Sequence, residues 1–181
     1  MNVRKHIHLL FVFLRFSYSM AICTVLCRLV LTAHSYSPQL KLKWQPRKRS
    51  PDRMVRGSAI LHHNVIYCAS FDSRTVYQYE IDKDEWKEHS QCPHTETGLA
   101  IMKDLLTAVG GENRSGDKTN KLVTWRGGRW EEVFPPMNTA RCNHAVQTDS
   151  SYVIAAGGGG ETSVEIFNMS SNSWSTVTSL P

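Results

Sequence analysis

Tyr152-Val153-Ile154-Ala155-Ala156-Gly157-Gly158 is followed by Val164-Glu165-Ile166-Phe167, the polar turn Asn168–Ser173 and Trp174, and this stretch decides the fold. It reads as an apolar strand, a glycine pair, an alternating second strand, a short turn and a third strand marked by an aromatic. The same plan stands twice upstream. Val65-Ile66-Tyr67 runs into Cys68-Ala69-Ser70, then Val76-Tyr77-Gln78-Tyr79, the turn Asp82-Lys83-Asp84-Glu85 and Trp86, with Pro93 beyond. Leu105-Leu106-Thr107-Ala108-Val109 runs into Gly110-Gly111, then Leu122-Val123-Thr124-Trp125, the tight turn Arg126-Gly127-Gly128-Arg129 and Trp130, with Pro135-Pro136 beyond. Trp86, Trp130 and Trp174 are spaced by 44 residues at each step. A fixed period of this size is the signature of a repeat architecture. The middle hairpin is two residues shorter than the others, so Trp125 takes the place of Tyr79 and Phe167.

The physics is that of a twisted antiparallel sheet. Alternation with period two turns every second side chain toward a neighbouring sheet, and turn residues punctuate the strands every 8–12 positions or so. The paired glycines end a buried strand where the backbone takes a positive φ or approaches its neighbour too closely for a side chain. Aromatics such as Phe167 and Trp174 fill the space between sheets, each burying on the order of 150–250 Å².

The pattern resembles the kelch repeat family. The likeness rests on Gly110-Gly111 and Gly157-Gly158, on Tyr79, Trp125 and Phe167, and on Trp86, Trp130 and Trp174, and it covers residues 57–181. The spacing falls slightly below the roughly 50 residues of kelch units. Cys68-Ala69-Ser70 departs from the pattern where a double glycine is expected. The resemblance implies an all-β fold, a partial β-propeller of about three four-stranded antiparallel blades covering about 57–97, 98–140 and 141–181. Propellers close with about 4–8 blades, so three leave open sheet faces that further blades or an oligomer would have to cover. A fragment of a longer propeller is the expectation.

The segment ahead of the repeats is built differently. Residues 1–56 carry 11 Lys/Arg and one acid, whereas 57–181 carry 10 Lys/Arg and 15 acids, so a leader of +10 precedes a domain of −5. Residues 1–35 form an apolar leader in which Leu9–Leu31 is a marginal candidate for crossing a bilayer, interrupted by Arg15. Residues 36–56 read as a basic linker whose run Lys41–Arg56 is solvated and not a nucleic-acid reader, since Trp44 is the only aromatic in that run. Basic residues are concentrated after Leu31, which would keep the repeats cytoplasmic and makes a secretory signal a poorer reading. Cys23, Cys27, Cys68, Cys92 and Cys142 are too scattered for a disulfide framework.

The chemistry legible in the chain argues against an enzyme. Gly111–Thr119 lacks the Gly-Lys pair of a phosphate loop, because Asp117 intervenes. Cys142 and His144 have no evident third group to orient a base. His62 and His63 are adjacent, so in a strand they would point to opposite faces, and no metal or other cofactor is expected. The resemblance implies instead a protein-interaction module. Its partner-binding positions carry over to Arg56, Asp72, Arg74, Asn113, Arg114, Arg141, Asn143 and Glu161, with Ser70 beside them. Arginines there would suit an acidic peptide through bidentate hydrogen bonds. A substrate-recognition role in a cullin-type ubiquitin ligase adaptor follows only when a BTB domain precedes the repeats, and none is visible here. The alternatives are a propeller enzyme of the galactose-oxidase or sialic-acid-epimerase kind and a membrane-tethered scaffold.

Overall fold

The structure, a computed structural model, describes residues 46–52, 57–70, 73–177 and 179. Within them lie three four-stranded antiparallel sheets, each with its strands in sequence order. Blade 1 comprises β1 Ser58–His62, β2 Val65–Ala69, β3 Thr75–Glu80 and β4 Glu85–Gln91. Blade 2 comprises β5 Gly98–Met102, β6 Leu105–Glu112, β7 Lys118–Arg126 and β8 Arg129–Glu131. Blade 3 comprises β9 Ala145–Thr148, β10 Tyr152–Ala156, β11 Val164–Asn168 and β12 Ser173–Thr176. Strand β5 lies against β1 on one side and β9 on the other, so the first strand of each blade is innermost and the blades form an open arc.

The repeat seen in the sequence becomes one recurrent contact. Tyr79 pairs with Trp86, Trp125 with Trp130 and Phe167 with Trp174 across the outer hairpins. Their ring centroids lie 4.9, 5.5 and 5.2 Å apart. Cross-strand aromatic pairs of this kind hold register as well as adding buried area.

Alternation in blade 2 divides its side chains between two cores. Leu99, Leu106, Ala108 and Val123 pack with Ala69, Val76 and Cys92 of blade 1. Ala100, Met102, Val109 and Leu122 pack with Val153, Ala155 and Phe167 of blade 3. Blade-on-blade burial is thus a direct reading of period two. At Gly98 the two inner strands come so close that an added Cβ would lie 2.1 Å from Val146 Cγ2.

Two details differ from the sequence reading. Strand β6 does not stop at its glycine pair but continues to Glu112 through a bulge between Val109 and Gly111. Gly110 and Gly111, with φ of 61° and 108°, absorb the kink, and Glu112 regains pairing with Lys118 and with Thr95. The second difference concerns residues 46–52, expected within a solvated linker. Ser50 is buried, Lys48 N donates to Asp84 Oδ1 at 2.9 Å, and Trp86 Nε1 donates to Lys48 O at 2.9 Å. This segment therefore covers the outer aromatic pair of blade 1. Blade 3 is covered in the same way, since Trp174 Nε1 donates to Pro135 O at 3.0 Å. The leader 1–35, the rest of the basic stretch through Trp44, and residues 53–56 lie outside the described residues.

Candidate functional site

Because the blades are antiparallel and start innermost, the loops after β2, β6 and β10 share one end of the arc with the β4–β5 and β8–β9 connections. The hairpin turns occupy the other end. Of the expected partner-binding residues, Arg74, Asn113, Arg114, Arg141, Asn143 and Glu161 fall in the segments of that glycine-bearing end, whereas Arg56 and Asp72 lie outside the described residues.

Arg74 bridges blades 1 and 2. Its guanidinium donates to Pro93 O and, at 3.5 Å, to Asn113 O. Asn113 shapes the next loop, its Oδ1 accepting from Ser115 N at 2.8 Å and Asp117 N at 3.0 Å. That closed Asx turn leaves Arg114 exposed at its tip. Asn143 is exposed with φ of 52°, and its N–H donates to Glu96 O at 2.9 Å. Glu161 is half-buried in the β10–β11 loop. Lys118, which the sequence reading passed over inside its rejected phosphate loop, donates from Nζ to Gly159 O and joins blades 2 and 3. Below these loops lies a shallow hollow of about 390 Å³, lined by His94, Asn113, Lys121, Trp130 and Glu132 among others.

Arg141 does not face outward as expected. It is fully buried, as is Glu165, and its Nη2 donates to Glu165 Oε1 at 2.7 Å. It also donates to Gly157 O at 3.0 Å, Ser163 O at 2.9 Å and Ser163 Oγ at 2.9 Å. Glu165 in turn accepts from Asn138 N at 2.7 Å and Thr139 N at 3.0 Å. With these internal bonds the guanidinium is a brace for the β10–β11 loop, and is closed to an outside ligand. In blade 2, His94 takes the corresponding place, with Nδ1 3.1 Å from Gly110 O.

Cys142 and His144 do not form a nucleophile and base. Burial, together with Glu96 and Glu112, pushes the Cys142 thiol up to about 12, far from the thiolate that attack requires. Burial, and then the charge of Arg141, holds His144 down at about 4, with both ring nitrogens buried and unpartnered among the described residues. A pH dependence follows from this. The unfolded imidazole, with its ordinary value of 6.5, binds a proton that the folded one refuses, so folding stability falls as pH drops from about 6.5 to 4. The loss should approach about 2–3 kcal/mol at pH 4. Chemical denaturation of wild type and His144→Gln across that range checks it; an equally steep decline in both proteins would contradict the assignment.

The exclusion of His62 and His63 as joint ligands also needs correcting. Strand alternation applies to β1, but His63 lies beyond its end with φ of 46°. The left-handed turn swings its ring onto the same side as His62. The rings stack at 3.9 Å, and Nε2 of His62 and of His63 lie 3.3 and 3.7 Å from Oδ1 of Asp104.

An open arc of four-stranded blades, each closed by an aromatic hairpin and joined to the next at a glycine-bearing end, defines a partial β-propeller. Residues 140–181 match the family model described as Kelch motif. Over 164 residues, 82% of this chain, it is 27% identical to Kelch-like protein 23 of Homo sapiens and to that of Pongo abelii. It spans 28% of the length of those relatives. The solved structure titled "Structure of YjhT" superposes with a TM-score of 0.64 at 10% identity, covering 76% of this chain and 56% of that one, which supports the fold.

Proposed function

We propose that this chain is a protein-interaction module whose glycine-bearing end receives the partner. The observation that carries the reading is the cross-blade bracing there. Arg74 to Asn113 O and Lys118 to Gly159 O fix three successive loops relative to one another, and Arg114 stands exposed at the tip of one of them. A recognition surface gains affinity when its loops are held before the partner arrives. The charge on offer is mixed: Arg114, Asp117 and Lys118 are exposed close together, and Glu161 lies in the next loop. With Arg141 internal, the surface suits a partner segment of alternating charge better than a purely acidic peptide.

The buried thiol and unpaired imidazole of Cys142 and His144 favour binding over catalysis. A narrower role as the substrate-recognition part of a cullin-type ubiquitin ligase adaptor draws on the similarity to Kelch-like protein 23, and cullin co-purification with the full gene product tests it. The charge pattern of residues 1–56 favours a cytoplasmic site of action. For the surface itself, the double variant Arg114→Glu/Glu161→Lys should weaken a cross-linked and co-purified partner by about tenfold or more. Arg126→Glu, at the opposite end, should leave it unchanged. A partner lost with the Arg126 variant and kept with the double variant would place binding at the wrong end.

A further inference from the structure

The hairpin end carries a grouping that the interaction role does not use. His62 closes β1, His63 opens the β1–β2 turn, and Asp104 lies in the β5–β6 turn of the next blade. Their ligand atoms, one from each residue, all lie within 4.8 Å of one another. Zinc bonds imidazole nitrogen and carboxylate oxygen at about 2.0–2.1 Å, so neighbouring ligand atoms of a tetrahedral site stand about 3.3 Å apart. The His62–Asp104 separation is 3.3 Å and the His63–Asp104 separation 3.7 Å. Two imidazoles and one carboxylate are a donor set suited to Zn²⁺ and its neighbours, not to Mg²⁺ or Ca²⁺.

The geometry points to a zinc-binding site formed by His62 Nε2, His63 Nε2 and a carboxylate oxygen of Asp104, joining the innermost hairpins of blades 1 and 2. His62 is largely covered and fixes the position of the site, while His63 and Asp104, 74% and 73% exposed, leave room for water or another ligand at the remaining position. The bound ion would cross-link two blades that otherwise meet here through polar contacts.

The site can be tested with little risk to folding, because its residues end turns. His63→Asn and Asp104→Asn keep a residue that tolerates the positive φ of 46–67° found across this pair of turns, and His62→Gln keeps a polar side chain. Zinc affinity of the untagged full chain is measured by competition with a chromogenic chelator, with circular dichroism to confirm the fold of each variant. Each of the three substitutions should lower the zinc association constant by about tenfold or more. Cys142→Ser, which removes the thiol of the separate Glu96–Glu112–Cys142 group, should leave it within about twofold. Cobalt in place of zinc should give a tetrahedral spectrum without thiolate charge transfer. No stoichiometric zinc uptake by the wild-type chain, affinity unmoved by all three substitutions, or loss only with Cys142→Ser would each overturn the proposal.

Discussion

Substituting methionine for Arg141 is expected to destabilise the folded chain by about 3–5 kcal/mol, because it strands a carboxylate in a place with no access to water. Glu165 is fully buried, and the two backbone N–H groups of Asn138 and Thr139 would be its remaining donors. The same change removes the guanidinium's bonds to Gly157 O and Ser163 O, so the β10–β11 loop loses its brace along with the charge its partner. Removing both members, as in Arg141→Met/Glu165→Leu, should cost less than the single change, since no buried ion is then left alone. The pH dependence carries its own sign. In the wild type, burial raises the Glu165 value, but the hydrogen bonds from Arg141, Asn138 and Thr139 outweigh it and hold the carboxyl below its ordinary 4.5. Stability from that group is therefore present above about 4.5 and is lost as pH falls through the lower folded value. In the methionine variant the bonds from Asn138 and Thr139 oppose burial without the guanidinium, and the penalty should shrink toward acid as Glu165 takes up a proton. Urea denaturation at pH 7.5 and pH 5 reads both effects. A loss under about 1 kcal/mol, or a penalty that grows toward acid, would show the pair to be dispensable.

Gly158→Ala should be comparably severe, upward of about 4 kcal/mol, whereas Gly160→Ala should cost only about 1–2 kcal/mol. The two glycines share a φ of 92°, so both substitutions carry the same penalty for a left-handed conformation. What separates them is space. A Cβ on Gly158 would meet Cys142 O at 2.4 Å, His144 Cβ at 2.4 Å and His144 Cα at 2.8 Å, while one on Gly160 meets nothing within 4 Å. Those obstructing atoms belong to the entry into β9, the innermost strand of the same blade, and two of the three are backbone that cannot rotate away. The thermal midpoints of the two variants measured side by side isolate the steric part. Equal midpoints would mean that conformational strain, rather than close approach, is what the second glycine of the pair relieves.

Much of the architecture could be read from the chain because its decisive residues are local and periodic. Trp86, Trp130 and Trp174 mark the outer strand of each blade, and the substitution of Trp125 for Tyr79 and Phe167 is realised as the same cross-strand ring contact. The surface was less legible. Arg141 is a charged residue preceding an inner strand, and nothing local distinguishes a buried brace from a solvent-facing ligand; the difference is made by Glu165, 24 residues later. For His62 and His63 strand alternation misleads, because β1 ends at His62 and His63 already takes a left-handed turn conformation. The docking of residues 46–52 did have a signal. Trp44 stands 42 residues before Trp86, and Pro51 follows it by seven residues as Pro93 follows Trp86, so the repeat pattern already extends into the basic stretch.

That docking alters what counts as a module in this protein. Blade 1 takes the cover for Trp86 from Lys48, and blade 3 takes the cover for Trp174 from Pro135, 38 and 39 residues earlier in the chain. The cover for each of these outer hairpins thus comes from the stretch leading into the blade's own first strand, and the units overlap as shingles do. A blade cut at the strand boundaries Ser58 or Ala145 would leave its roofing behind. The exchangeable piece, for recombination in evolution or for grafting in the laboratory, is offset by about ten residues toward the amino terminus from the sheet that it builds.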